Sequence, residues 1–209
     1  MCNQNQQVNQ HGGDIQQMIA EAFLQQGKAF FAADISFQNG GGVRVDVAQG
    51  DVTVEKIYQV LPFNNTLYRL DMTGAEIKAT LEDAMDAVVK ENNTGSYPYT
   101  GGLRWHVDLN QAKGQRLSQL EVRMNNGQYT ALDLNKTYRV ATIDFLANGG
   151  DFYSTMKSIT GERREDVGLV YAQAFLKYAQ SLPGADGQKQ LNKLPIADYS
   201  TQGFIDKLN

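Results

Sequence analysis

The chain has 209 residues, of which 42% are hydrophobic and 20% charged, and it carries a net charge of −4. That is enough chain, of ordinary globular composition, to bury a real core. It excludes a binder of nucleic-acid backbones, which needs clustered excess lysine and arginine; no basic run is longer than Arg163-Arg164. No apolar stretch approaches the roughly 20 residues of a membrane span.

Residues 1–12 are polar and rich in Gln and Asn, and are expected to be a loose segment or former linker ahead of a domain spanning 13–209. Met1 to Gln7 lacks the apolar region of a signal peptide. The single Cys2 forbids an intrachain disulfide and says little about compartment. Asp14 to Gln26 reads as a helix, because Ile15, Met18, Ile19, Ala22 and Phe23 share one face, with Asp14 as N-cap. Ala33 to Phe37 reads as a buried strand.

Asn39-Gly40-Gly41-Gly42-Val43-Arg44 then forms a glycine loop, followed by an alternating Val43 to Val47 strand. Gly50-Asp51 is a turn. Val54 to Val60 reads as a short helix ending ahead of Pro62. Thr66 to Met72 is a strand. Thr73-Gly74-Ala75-Glu76 matches a capping box, and the apolar stripe Ile77, Leu81, Ala84, Met85, Val88 behind it predicts a helix to about Lys90. Glu91 to Thr100 reads as a loop. Leu103–Leu109 and Leu117–Met124 are strands, with a hairpin turn at Asn125 to Gln128. Tyr138 to Ile143 is a strand that runs out into a second glycine loop, Asn148-Gly149-Gly150-Asp151. Asp166 to Leu182 reads as a final long helix, and a closing strand is placed near Phe204-Ile205. Intermingled strands and helices with hairpin-like pairs favour an α+β domain over a doubly wound parallel sheet.

The catalytic inventory is thin. There are two histidines, His11 and His106, and no dense set of His, Asp and Asn ligands for a two-metal site. No nucleophile elbow and no GxxxxGK[ST] phosphate loop occurs. No catalytic or metal-binding residue is assigned to the chain, and no cofactor is expected on it.

The binding inventory is richer. The first glycine loop leads to a strand rather than a long helix, so it is not a dinucleotide fingerprint. It reads either as a plain tight turn or as a place where backbone and Arg44 approach an anion. Leu61-Pro62-Phe63-Asn64-Asn65 is a turn in which Phe63 either stacks on a flat ring or plugs the core. Phe145, with Gly149-Gly150-Asp151 close behind, offers an aromatic face and a carboxylate for hydroxyls.

Taken in order, Asn39 to Arg44, Val60 to Asn65, Leu70 to Gly74, Thr137 to Thr142 and Phe145 to Asp151 resemble the C-terminal domain of the 5′-nucleotidase / UDP-sugar hydrolase family, from about Gly13 to about Tyr178. The resemblance implies a four-layer α/β/β/α sandwich. It implies a domain that binds a nucleotide or nucleoside, beside an N-terminal metallophosphatase domain of the same parent protein. Two divalent metals in that other domain perform hydrolysis, and the location is periplasmic or extracellular. By the same resemblance Phe63 and Phe145 sandwich the base, Asp151 binds ribose hydroxyls, and Asn39 and Arg44 contact base and phosphate-side groups. The chain departs from the family in having no arginine ahead of Arg44, and in carrying Phe152 where a GGDGY-like motif has glycine. These departures leave a second expectation: an interaction module that kept the fold and lost nucleotide recognition.

Overall fold

The computed structural model describes residues 10–185 and 188–207. Most of the loose segment expected over residues 1–12 therefore lies outside the described residues. Of its end, His11 is seen with Nδ1 2.8 Å from the Thr201 carbonyl oxygen.

The architecture is mixed α/β, with two main sheets and helices packed on them, as expected. The larger sheet has five strands: β1 (Ile35–Asn39), β2 (Thr66–Thr73), β3 (Pro98–Gly101), β7 (Thr137–Ile143) and β8 (Arg164–Val170). Their order is β3-β1-β7-β2-β8. Only β1 and β7 run parallel, Ile35 opposite Val140; the other neighbours are antiparallel. The smaller sheet contains β4 (Leu103–Asp108), β5 (Leu117–Arg123), β6 (Tyr129–Ala131) and the closing strand β11 (Thr201–Ile205), in the order β11-β4-β5-β6. A short ribbon, β9 (Gly184–Ala185) with β10 (Gln188–Lys189), stands apart. The two sheets are joined at Gly102, held at φ 73°, where an added Cβ would stand 2.8 Å from the Asp34 carbonyl oxygen.

Helix α1 (Asp14–Phe31) covers β1, β3 and β7 and meets α6 (Tyr171–Ser181), the rings of Phe23 and Tyr171 lying 6.4 Å apart. Helix α3 (Gly74–Lys90) touches β2 and β3 of the large sheet and β5 of the small one. Contact with both sheets explains why every residue from Thr80 to Met85 is buried, well beyond one amphipathic stripe. It also explains how α3 carries buried Glu82: the carboxylate accepts from the Gly114 and Leu117 amides at 2.8 and 3.0 Å, which a buried charge requires.

Four local expectations are corrected. Gly13, not Asp14, is the N-cap of α1; Asp14 sits in the first turn and binds Lys193 and the Tyr199 hydroxyl instead. Val43 to Val47 is irregular rather than a strand: Arg44 N donates to the Val60 carbonyl, but no sheet neighbour continues the pairing. Pro98 to Thr100, expected as the end of a loop, belongs to edge strand β3, which tolerates its proline because position 98 opens the strand. Asp166 to Leu182 is not one helix. Its first part completes β8, and α6 starts only at Tyr171, after Gly168 at φ 72°.

The capping box is present in full, with Thr73 accepting from Glu76 N at 3.2 Å and Glu76 accepting from Thr73 N at 2.8 Å. Thr73→Ala is expected to cost about 1 kcal/mol, read as a lower urea midpoint at unchanged slope; an unchanged midpoint would show that the cap contributes nothing.

Candidate functional site

The sheet topology sends the singled-out loops to one place. Because β1 and β7 are parallel, both glycine loops leave the same sheet end, at Asn39 and Ile143. Antiparallel β2 begins there, with Leu67 opposite Ile143, so the Phe63 turn arrives at the same end. β8 finishes there, with Val170 opposite Thr66, and delivers Tyr171. β3 starts there, Pro98 opposite Asn39.

The side chains then join the loops. Asn39 is 3% exposed, and its Nδ2 donates to Asp151 Oδ2 at 2.6 Å, tying the first glycine loop to the second. Asn39 Oδ1 and both amide atoms of the neighbouring Gln38 are buried without a protein partner. Gln38 Nε2 lies 2.1 Å from where a Cβ on Gly42 would be, so a side chain there would displace the Gln38 amide. Arg44 donates to the Gly41 carbonyl at 3.0 Å, and its guanidinium lies 5.8 Å from the Phe63 ring centroid.

Phe63 is 47% exposed and Phe145 41%. Phe63 is thus on the surface and not a core plug. Its amide donates to the Tyr171 hydroxyl at 2.8 Å, which anchors the turn through its backbone. Burial pushes the Tyr171 phenol up to about 12; the Phe63 amide and Arg44 oppose this, and Asp144 reinforces it. Tyr171 therefore stays a neutral hydroxyl across the physiological range. The Phe145 ring rests on Gly150, where a Cβ would stand 2.5 Å from ring carbons, so that glycine is required by contact. All five expected residues, Asn39, Arg44, Phe63, Phe145 and Asp151, belong to loops at this one end.

Sequence reasoning missed the supports. Tyr171 was hidden inside a helix drawn too long. Asp83, on α3, is 7% exposed by side chain and holds the segment after the second loop: it accepts from the Thr155 amide and hydroxyl at 2.9 and 2.7 Å and from Ser154 Oγ at 2.7 Å, and pairs with Lys113. An aspartate in the middle of an apolar helical stripe was the available signal. Tyr153 is fully buried and donates to the Ser96 carbonyl at 2.9 Å. Burial, and then the Asp151 charge, raises its pKa well above the ordinary value.

An open groove of about 550 Å³ lies nearby, lined by Asp46, Asp51, Glu55, Lys56 and neighbours. Its carboxylates disfavour an anionic ligand, and it contains none of the exposed aromatics. Among the described residues, no group of three His, Cys, Asp or Glu is placed to hold a metal ion. His106 lies on β4 beside Gly203, its Nδ1 filling the space a side chain there would need. Among the described residues, no helix is long and apolar enough to cross a membrane.

Loops carrying two exposed phenylalanines, an arginine and an Asn–Asp hydrogen bond thus gather at one end of the larger sheet. The family model for the 5′-nucleotidase C-terminal domain matches residues 2–158, and the chain belongs to that family. It is 34% identical over 209 residues to the trifunctional nucleotide phosphoesterase protein YfkN of Bacillus subtilis, covering 98% of this chain and 14% of YfkN. It is 35% identical over 180 residues to the NAD 5′-nucleotidase of Haemophilus influenzae, covering 84% of this chain and 29% of that protein. The solved structure of that nucleotidase matches with a TM-score of 0.81 over 94% of this chain and 34% of that one, at 31% identity. A 5′-nucleotidase precursor from Thermus thermophilus matches with a TM-score of 0.77 at 34% identity, over 93% of this chain and 36% of that one. The chain thus spans well under half the length of these relatives.

Asp83 gives a test of the support. Burial pushes its carboxyl up, but hydrogen bonds from Lys113, Thr155 and Ser154 together outweigh this and hold its pKa below the ordinary value. Its stabilisation is then complete above about pH 4 and is lost as pH falls through the lower folded value. Asp83→Asn should flatten the acid limb of the stability–pH profile in urea unfolding, and Asp83→Ala should cost about 1–3 kcal/mol at neutral pH. An acid limb as steep in Asp83→Asn as in the wild type would contradict the assignment.

Proposed function

We propose that this chain is the nucleotide- or nucleoside-binding domain of a 5′-nucleotidase-like metallophosphoesterase, acting beside an N-terminal metallophosphatase domain of the same parent protein, in the periplasm or outside the cell. The observation that carries the reading is the convergence of two exposed phenylalanines, one arginine and an Asn–Asp clasp on one sheet end. The names of the relatives, a nucleotide phosphoesterase, an NAD 5′-nucleotidase and a 5′-nucleotidase, support the same substrate class.

In this reading the base lies between Phe63 and Phe145, where stacking needs no particular hydrogen-bond pattern and tolerates different bases. Ribose hydroxyls donate to Asp151, whose Oδ2 is already aligned by Asn39. Asn39 Oδ1, buried and unpaired, is the acceptor available to a base amine. Arg44 supplies the charge on the phosphate side. The chain's own residues bind and orient; the two metals of the companion domain would polarise the phosphate and activate water when bound there.

The departures at Phe152 and ahead of Arg44 support the second reading, an interaction module that no longer binds nucleotides. A thermal-shift screen with adenosine, AMP, UMP and UDP-glucose, with and without divalent metal, separates the two, because a ligand of the native state raises Tm by mass action. The first reading expects a metal-independent rise. Phe63→Ala should weaken binding by about 1–3 kcal/mol. A folded sample with no shift from any of these ligands would favour the interaction module.

A further inference from the structure

The second glycine loop carries a backbone feature that the mononucleotide reading does not use. Gly149, Asp151 and Phe152 all have positive φ, at 87°, 50° and 67°. Glycine takes this conformation freely, and aspartate adopts it with some help, but for a bulky aromatic it is an outlier. Holding such a residue there costs stability, and strain of this kind concentrates at ligand clamps. The ring gains no burial in exchange: Phe152 is 55% exposed, more than either Phe63 or Phe145. Its neighbour Tyr153 is the one that anchors the segment, through the Ser96 carbonyl.

We infer that Phe152 is a specificity-determining residue that provides a third aromatic face, for a second planar ring carried by the ligand. The inference rests on the nucleotide reading above. Phe145 packs on Gly150, Asp151 comes next, and Phe152 follows it, so along the loop an exposed aromatic comes before and after the carboxylate assigned to the ribose. A mononucleotide has one flat ring and is served by Phe63 and Phe145. A ligand with a second planar group beyond its first ribose, of the dinucleotide class, has a use for the third.

The test compares NAD with ADP-ribose, which share base, ribose and diphosphate and differ in the second ring, by calorimetric titration on the full chain without metal. The wild type is expected to prefer NAD by about tenfold, within the range of one stacked ring. Phe152→Gly and Phe152→Leu should abolish that preference, and Phe152→Tyr should keep it. Phe152→Gly should leave Tm unchanged or higher, because glycine relieves the positive φ. Equal affinity of the wild type for NAD and ADP-ribose, or a preference that survives in Phe152→Gly, overturns the inference. AMP separates the two levels: AMP bound without a second-ring preference refutes the role of Phe152 alone, whereas a wild type that binds none of the three refutes the nucleotide reading as well.

Discussion

The parallel pairing of β1 with β7 is the constraint on which the rest of the site depends. A parallel pair puts both carboxyl ends on the same side, so the two glycine loops must emerge together although more than a hundred residues separate them in sequence. The antiparallel neighbours β2, β8 and β3 then bring the Phe63 turn, Tyr171 and the Ser96-Tyr97 segment to that same end. The Asn39–Asp151 hydrogen bond closes the arrangement. It is a charge-assisted bond between partly buried groups, stronger than a neutral one, and it sets the spacing of the two loops before any ligand arrives.

The sheet end is supported from beneath by Asp83 and Tyr171. Asp83 collects hydrogen bonds from Ser154, Thr155 and Lys113, fixing the segment after the second loop. Tyr171 holds the Phe63 turn by its backbone, so the ring stays exposed without being loose. Against these stand costs at the same end: amide atoms on Gln38 and an oxygen on Asn39 with no partner among the described residues, and positive φ at Asp151 and Phe152. Two consecutive non-glycine residues at positive φ, Asp151 and Phe152, are a local cost of the kind found at ligand clamps.

Much of the fold was legible because its signals are local. The Thr73–Glu76 box and the stripe behind it gave α3 almost to the residue, and alternation gave β2, β4, β5 and β7 within a residue or two. What failed needed knowledge of neighbours. Val43 to Val47 alternates like a strand but has no strand to pair with. Asp166 to Val170 looks helical beside Tyr171 to Ser181, yet it sits opposite Thr66 to Leu70 and is drawn into the sheet. Pro98 argues against a strand except at its first position, which is where it is found. At the site, the glycine loops and aromatics were visible as motifs, since glycines and turn prolines stand out in sequence. The Asn39–Asp151 clasp and the Asp83 bonds were not visible, because each joins residues far apart in the chain.

The central claim is that a nucleoside seats on the sheet end where these loops meet. Amide chemical-shift mapping of the labelled chain, titrated with adenosine in metal-free buffer, tests it most directly. The account predicts shifts confined to Asn39 to Arg44, Phe63 to Asn65, Phe145 to Tyr153 and Tyr171. Perturbations centred instead on the acidic groove at Asp46 to Gln59, or on the opposite sheet end around Asp34, Asp71 and Arg139, would contradict it.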